Sequence, residues 1–269
     1  MNKSFIKNGY MVIRNAFSEN LHKKIQDLCL SVISKKNKEI NYKSFCSSIK
    51  TQKNKLFNIS RAIHNKLIYE RIFQQLFTSK KFYSKIVDLL GKDLSFLDEP
   101  SVTINLPKNF LKKNYYFKDW HQEIWSGADT SSIIMWTPIF QKDYNGQIEV
   151  AKTSHNWGHI PHRNRKPLVL PDKFKTFKTN LNYTDIIIMH SMLLHRSLEI
   201  NGDTFSPRLA LPCMIRNFKF KNNAFENNKT WKIFNYSEFT HIERKLGNSN
   251  LSPYRLKDYD FEDIAKGSI

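Results

Sequence analysis

The chain has 269 residues, 40% of them hydrophobic and including 20 Phe and 11 Tyr, enough apolar side chain to bury a single large core. Lys and Arg number 43 against 24 acidic residues; the net charge of +19 favours anionic partners: nucleic acid, an anionic membrane surface or an acidic small molecule. The cations are scattered in pairs (Lys23-Lys24, Lys35-Lys36, Lys80-Lys81, Lys112-Lys113), which argues against a dedicated nucleic-acid reader, and no apolar run approaches 18 residues, which argues against a transmembrane helix and leaves only peripheral membrane contact.

Along the chain, residues 9–14 predict a short strand. Ser18 then offers an N-cap, and Leu21, Ile25, Leu28, Cys29 and Val32 at helical spacing predict a helix over 19–34. Residues 35–60 are rich in Lys, Asn and Ser and read as a long loop. Helical spacing returns over 66–90, with a break near Thr78-Ser79 and a stop at Gly91, so two short helices are expected. After Gly91 the texture changes to runs of Ile, Val, Phe and Trp. Strands are predicted over 95–106, 120–125, 131–140, 147–151, 185–190, 194–200 and 208–220, with hairpin-turn signals at Asn145-Gly146 and Asn201-Gly202. Helices followed by a block of strands suggest a mainly β fold, a sandwich or barrel with helices in front. The polar tail 221–269 is expected to pack over the outside. Cys29, Cys46 and Cys213 are odd in number and far apart, so they read as small apolar residues in a reducing compartment. The first residues lack a continuous apolar segment of the signal-peptide kind, and a cytoplasmic location is expected.

The chemistry concentrates in Trp120-His121-Gln122-Glu123-Ile124-Trp125. On a strand, the period of two puts His121 and Glu123 on one face. A third ligand from a distant strand would complete a 2-His-1-carboxylate face, which suits non-haem Fe(II) and leaves positions open for a cosubstrate and O₂. A carboxylate among apolar neighbours on a strand needs a partner or a metal. Two histidines compete for the third position: His190, within an apolar run, and His195, 74 positions after His121. Periodicity does not separate them. Arg208 opens the run Arg208-Leu209-Ala210-Leu211, where a planar guanidinium could grip a carboxylate through paired hydrogen bonds.

These segments, taken together, resemble the phytanoyl-CoA dioxygenase family of Fe(II)/2-oxoglutarate oxygenases. Trp120-His121-Gln122-Glu123 is similar to that family's Trp-His-Gln-Asp. The run from Gly146 through Ser154-His155 is similar to its Gly-x-(Leu)-x-Val-x-x-Gly-Ser-His, and the run from Asp185 to Ser197 to its Gly-Asp, apolar strand and His-Ser-x-Leu-Leu-His-x-Ser. Phe5 to Arg14 also resembles the family's Phe-x-x-x-Gly-Tyr-x-Val-x-Arg, so the likeness covers about residues 5–218. It implies one domain over 1–269: a helical part over about 1–91, a double-stranded β-helix (a cupin-like jelly roll) over about 92–220, and an extension over about 221–269. It assigns the third ligand to His195. His121, Glu123 and His195 would then hold Fe(II), and 2-oxoglutarate would chelate the metal while its far carboxylate meets Arg208, helped by Ser197. O₂ would take the remaining site, and hydroxylation of a substrate C–H would release succinate and CO₂.

Two departures stand out. Glu123 is one methylene longer than the commoner Asp; as a carboxylate is present, chlorination is disfavoured. Arg208 lies 13 residues after His195, slightly beyond the usual offset, with Asn201-Gly202-Asp203 between to absorb the length. Arg196 is expected to point away from His195 on a strand, and Arg216 is a poorer partner for the cosubstrate.

For the substrate, the basic segment His159 to Lys166, with His162, Arg163 and Arg165, suggests a loop that binds an anionic small molecule: an acidic sugar, a carboxylated metabolite or a lipid- or phosphate-bearing carrier. Trp125 and Trp136 are candidates to line the substrate side. The rival readings are a non-catalytic jelly-roll binding protein and an oxygenase acting on nucleic acid.

Overall fold

A computed structural model describes residues 3–34, 39–98, 101–110, 119–200, 204–219 and 231–245. The helices are α1 (Lys3–Asn8), α2 (Glu19–Ile33), α3 (Tyr42–Lys50), α4 (Leu56–Tyr69), α5 (Ile72–Phe77), α6 (Lys80–Leu90) and α7 (Glu238–Lys245). The strands are β1 (Tyr10–Ile13), β2 (Leu94–Leu97), β3 (Thr103–Asn105), β4 (Ile133–Phe140), β5 (Ile148–Ala151), β6 (His162–Arg163), β7 (Lys166–Pro167), β8 (Thr176–Lys178), β9 (Ile186–His190), β10 (His195–Ser197), β11 (Arg208–Asn217) and β12 (Trp231–Asn235).

Seven strands form the large sheet, ordered β1-β9-β4-β11-β2-β12, with β3 also pairing with β11. A three-stranded sheet, β10-β5-β8, faces it. The result is a jelly-roll core with helices on its outside. The alternation of side chains explains why β4 and β9 read as unbroken apolar runs. Ile133, Met135, Ile139, Ile186 and Ile188 pack with the helices, whereas Ile134, Trp136, Ile187 and Met189 pack with Ile148 and Val150 of the small sheet. β11 follows the same rule. Leu209, Leu211, Cys213 and Ile215 join the helical side, which by the period of two puts Arg208, Ala210 and Pro212 on the inner face. Pro212 is tolerated in this central strand because β3 pairs only with 208–210 and β2 only with 215–217, so that side has no ladder bond to lose at 212.

The N-terminal motif is structural. β1 lies antiparallel to β9, and Arg14 donates to the buried Asp185 carboxylate at 2.7 Å. The backbone N–H groups of Asn15 and Asn182 also donate to that carboxylate.

Several expectations need correction. Residues 35–60 are not a long loop: over the described residues they hold α3, a 3₁₀ turn at Lys53–Lys55 and the start of α4. Asn41 caps α3 by accepting from the Ser44 N–H, and Phe45 and Ile49, four apart, bury one face. Their small polar neighbours masked that stripe. The 66–90 segment breaks at Thr78-Ser79 as expected, but also at Arg71, which sits at φ +54. The expected strand 95–106 is two short strands, β2 and β3, and strands 194–200 and 208–220 are shorter than predicted. Residues 120–125 are not a strand. His121 makes an isolated bridge with His195, and Glu123–Ser126 is a 3₁₀ turn. Gly146 does turn the chain, at φ +71, but it joins β4 to β5 in different sheets, so no hairpin forms. A Cβ there would lie 2.7 Å from Ile200. Asn201-Gly202 lies outside the described residues. In the tail, β12 adds a strand to the large sheet beside β2 instead of packing on the outside. No helix among the described residues is long and apolar enough to cross a membrane.

Candidate metal centre

His121 and His195 face each other through a reciprocal pair of backbone bonds, each N–H to the other's carbonyl at 3.0 Å. This brings together residues that are distant in sequence and sets the two rings 4.3 Å apart between centroids. Gln122 is extended, so Glu123 returns to the side of His121 even though the strand ends there. The Glu123 Oε1 lies 3.2 Å from His121 Nε2 and 3.7 Å from His195 Nε2. All three candidate ligand atoms lie within 4.8 Å of one another, and all three residues are buried. The longer Glu side chain is accommodated by placing its Cα at the start of a 3₁₀ turn.

Both histidines have their other nitrogen committed. His121 Nδ1 lies 2.7 Å from the Asp119 carbonyl, and His195 Nδ1 lies 2.9 Å from the Leu193 carbonyl. A carbonyl only accepts, so each Nδ1 carries a proton and it is each Nε2 that faces the cluster. Backbone carbonyls in this role fix the ring orientation of metal-binding histidines. Gln122 points the other way and is fully buried. It donates to the carbonyls of Gly158 (3.0 Å) and Met192 (2.6 Å), and its side-chain oxygen accepts from the Ile160 N–H (3.0 Å). It ties the His121 segment to two loops at once.

His190 does not join the cluster. Its Nδ1 accepts from the Met192 N–H at 3.1 Å, and its ring lies beside Phe5 and His155. Burial, with a smaller contribution from His155, holds it down to about 4, so the ring is neutral.

The triad opens onto a cavity that also exposes Thr103, Asn105, Trp136, Ser197, Arg208 and Pro212. Arg208 is 2% exposed. Its Nη2 donates to Asn105 Oδ1 at 2.7 Å, its guanidinium carbon lies 5.2 Å from the Trp136 ring centre, and Nε and Nη1 find no acceptor among the described residues. Burial lowers it to about 9, which still leaves it charged at neutral pH. A buried guanidinium with two idle donors beside a cavity is costly unless an anion is supplied. Asn105 was missed from sequence, although a polar residue between Ile104 and Leu106 on a strand signals a buried partner.

Other expected residues fall elsewhere. Arg196 does point away from the triad: it bonds Glu149 at 2.7 Å and lies over Trp120 at 4.6 Å. Arg216 pairs with Asp129 at 3.3 Å and lies over Trp231. Trp136 lines the cavity beneath Arg208. Trp125, His162, Arg163 and Arg165 do not line it. Trp125 is buried and stacks on His162 at 4.7 Å, and Arg163 and Arg165 are exposed on the β6–β7 hairpin.

Two facing sheets, with a buried His-Glu-His cluster, make a jelly-roll fold. Solved structures with this fold include the non-heme monooxygenase ThoJ in its apo form, with a TM-score of 0.58 at 18% identity over 88% of this chain and 84% of that one. The ThoJ–Ni complex gives 0.55 at 15% identity over 99% and 92%. The epimerase SnoN in complex with Fe3+, alpha ketoglutarate and nogalamycin RO gives 0.51 at 10% identity over 82% and 84%. At these identities the likeness shows the fold. No protein-family model matches the sequence, and no curated protein matches it.

Proposed function

We propose that this chain is an Fe(II)- and 2-oxoglutarate-dependent oxygenase that hydroxylates a C–H bond of a small anionic, sugar-like or lipid-linked substrate, with release of succinate and CO₂. The observation that carries this reading is the pairing, in one cavity, of the buried His121–Glu123–His195 cluster with the buried, under-bonded Arg208. Either half alone has a structural explanation. A binding site for a metal facing a binding site for a carboxylate is what a chelating 2-oxoacid with a second carboxylate requires.

The residues fit that group. His121, Glu123 and His195 would hold the ferrous ion. Arg208, with Ser197 on the same wall, would take the distal carboxylate. When bound, iron and 2-oxoglutarate together supply the activation of O₂ for attack on a C–H bond. The chain itself does the positioning. The Asp119 and Leu193 carbonyls accept from both Nδ1 protons, which keeps the two rings aimed at the cluster. Asn105 and the face of Trp136 hold the guanidinium of Arg208 in place. Ile134, Ile148 and Met189 line the cavity with apolar surface and limit its water.

The likeness to phytanoyl-CoA dioxygenases supports this reading through its motifs. Two of them supply the triad, and a third supplies a contact that positions it: Ser154 Oγ accepts from the Leu194 N–H at 2.8 Å, next to His195. ThoJ and SnoN support the general kind; that one is a monooxygenase and the other an epimerase leaves the choice of hydroxylation with the chain's own likeness. The three free cysteines, two of them buried, fit a reducing compartment such as the cytoplasm.

The test is anaerobic addition of Fe(II) and 2-oxoglutarate. A visible charge-transfer band should require both additions, and a metabolite screen should then find compounds that stimulate succinate release in air. Absence of the band with the folded protein would overturn the reading.

A further inference from the structure

The β6–β7 hairpin carries a surface that the oxygenase chemistry does not use. Its turn, Arg163-Asn164-Arg165-Lys166, has Asn164 at φ +51 and Arg165 at φ +60, both in the left-handed region. Such a two-residue turn favours Asn-Gly. The second position here is arginine, at a backbone cost of roughly 1–2 kcal/mol. Arg163, Arg165 and Lys166 are all exposed, and the segment 159–175 holds five cations against one acid. Immediately after the turn, Leu168 and Val169 stand 66% and 63% exposed, side by side.

The hairpin is mounted firmly. The Leu168 N–H donates to the Pro161 carbonyl at 2.8 Å, Ile160 is buried and held by Gln122, and His162 stacks on Trp125, two residues from Glu123. Beyond it, Leu170 and Phe174 pack into the same apolar cluster as Trp125. The tip therefore presents cations and aliphatics in a preset arrangement, with little ordering left to occur on contact.

We infer that this tip docks the protein on an anionic lipid surface: Arg163, Arg165 and Lys166 meet the headgroup phosphates while Leu168 and Val169 enter the boundary with the acyl chains. Charge complementarity selects the occupant. A second copy carries the same +19 and is repelled. Nucleic acid would use the cations but leave the aliphatic pair in water. An anionic bilayer satisfies both halves. The inference stands apart from the iron chemistry, and its test does not read turnover.

The full chain is sedimented with vesicles of phosphatidylcholine alone and of phosphatidylcholine mixed with phosphatidylglycerol. Binding is expected only to the mixed vesicles. Arg163→Glu/Arg165→Glu should weaken it by roughly 30-fold or more, from about 1 kcal/mol for each basic residue near the surface. Leu168→Ser/Val169→Ser should weaken it at least about tenfold, since each buried methylene contributes about 0.8 kcal/mol. Lys53→Glu/Lys55→Glu, the same charge change on the exposed 3₁₀ turn, should cost much less. Three results would each overturn the inference: no binding to the mixed vesicles; equal loss in the Lys53/Lys55 variant, meaning general charge; or an unaffected Leu168/Val169 variant, which would point to an acidic macromolecule instead. Unchanged thermal midpoints of the variants confirm that the fold is intact.

Discussion

Replacing Arg208 with Met separates the cost of the proposed cosubstrate site from its use. The guanidinium is 2% exposed and two of its nitrogens lack acceptors among the described residues. Leaving a buried donor unsatisfied costs about 1–3 kcal/mol, more when it is charged. Against that, Arg208→Met removes the bond to Asn105, worth about 1.5–3 kcal/mol for a charged donor, and the contact with Trp136, worth about 0.5–2 kcal/mol. The volumes are similar, so no large cavity should open. The net expectation for the ligand-free protein is a stability unchanged or raised by about 1–2 kcal/mol, which is a shift of about 0 to +8 °C in thermal midpoint for a domain of this size. With Fe(II) present, 2-oxoglutarate should raise the midpoint of the wild type by mass action and leave the variant nearly unmoved. Loss of two charge-assisted bonds should weaken its affinity by about 3 kcal/mol or more, over 100-fold. The assay is differential scanning fluorimetry under anaerobic conditions across a 2-oxoglutarate series. A variant destabilised by several kcal/mol, or one that keeps the 2-oxoglutarate shift, would refute the assignment of Arg208 as an anion receptor held ready at the expense of stability.

His121→Ala or His195→Ala should each reduce Fe(II) affinity at least about 100-fold, in line with the loss of a direct ligand, while His190→Ala keeps metal binding; equilibrium dialysis of iron distinguishes the three. Gln122→Met should destabilise the fold by about 2–4 kcal/mol, because it strips partners from the Gly158 and Met192 carbonyls and the Ile160 N–H, and a urea midpoint that barely moves would contradict the tethering role. Stability should also fall in mild acid. Burial holds His22 and His190 down to about 4 against an ordinary value of 6.5, so the unfolded chain binds more protons between those values. The stabilisation is complete above pH 6.5 and is lost on the way down to about pH 4, by up to about 3 kcal/mol per histidine. His22→Gln should flatten the His22 part of that slope in denaturation measured across this window.

The fold class was legible in the sequence because its signals are local. Apolar runs of strand length, the Ser18 cap, the Gly91 stop and the His121-x-Glu123 pair each depend on neighbours within a few positions. The pair even survived a wrong element: the segment 120–125 is a single bridge followed by a 3₁₀ turn, yet one extended residue, Gln122, is enough to return Glu123 to the His121 side. Helix α3 was lost for the opposite reason: its stripe is only Phe45 and Ile49 among Lys, Ser and Cys, and two apolar positions do not outweigh such composition without the core they face.

What only the tertiary structure decided is which distant groups meet. His190 closes β9 and His195 opens β10, and no periodicity separates them; the bridge between His121 and His195 does, because a backbone pairing fixes which ring lies opposite which. The same holds for Arg208. The residue type announces a carboxylate grip, but only the pairing of β11 with β3 sets Asn105 against it, and only closure by the small sheet turns it from a strand-edge cation into a buried charge awaiting an anion. A sequence records the chemistry each side chain can do, whereas burial and long-range register, which are properties of the folded chain, determine which of those capacities can be used.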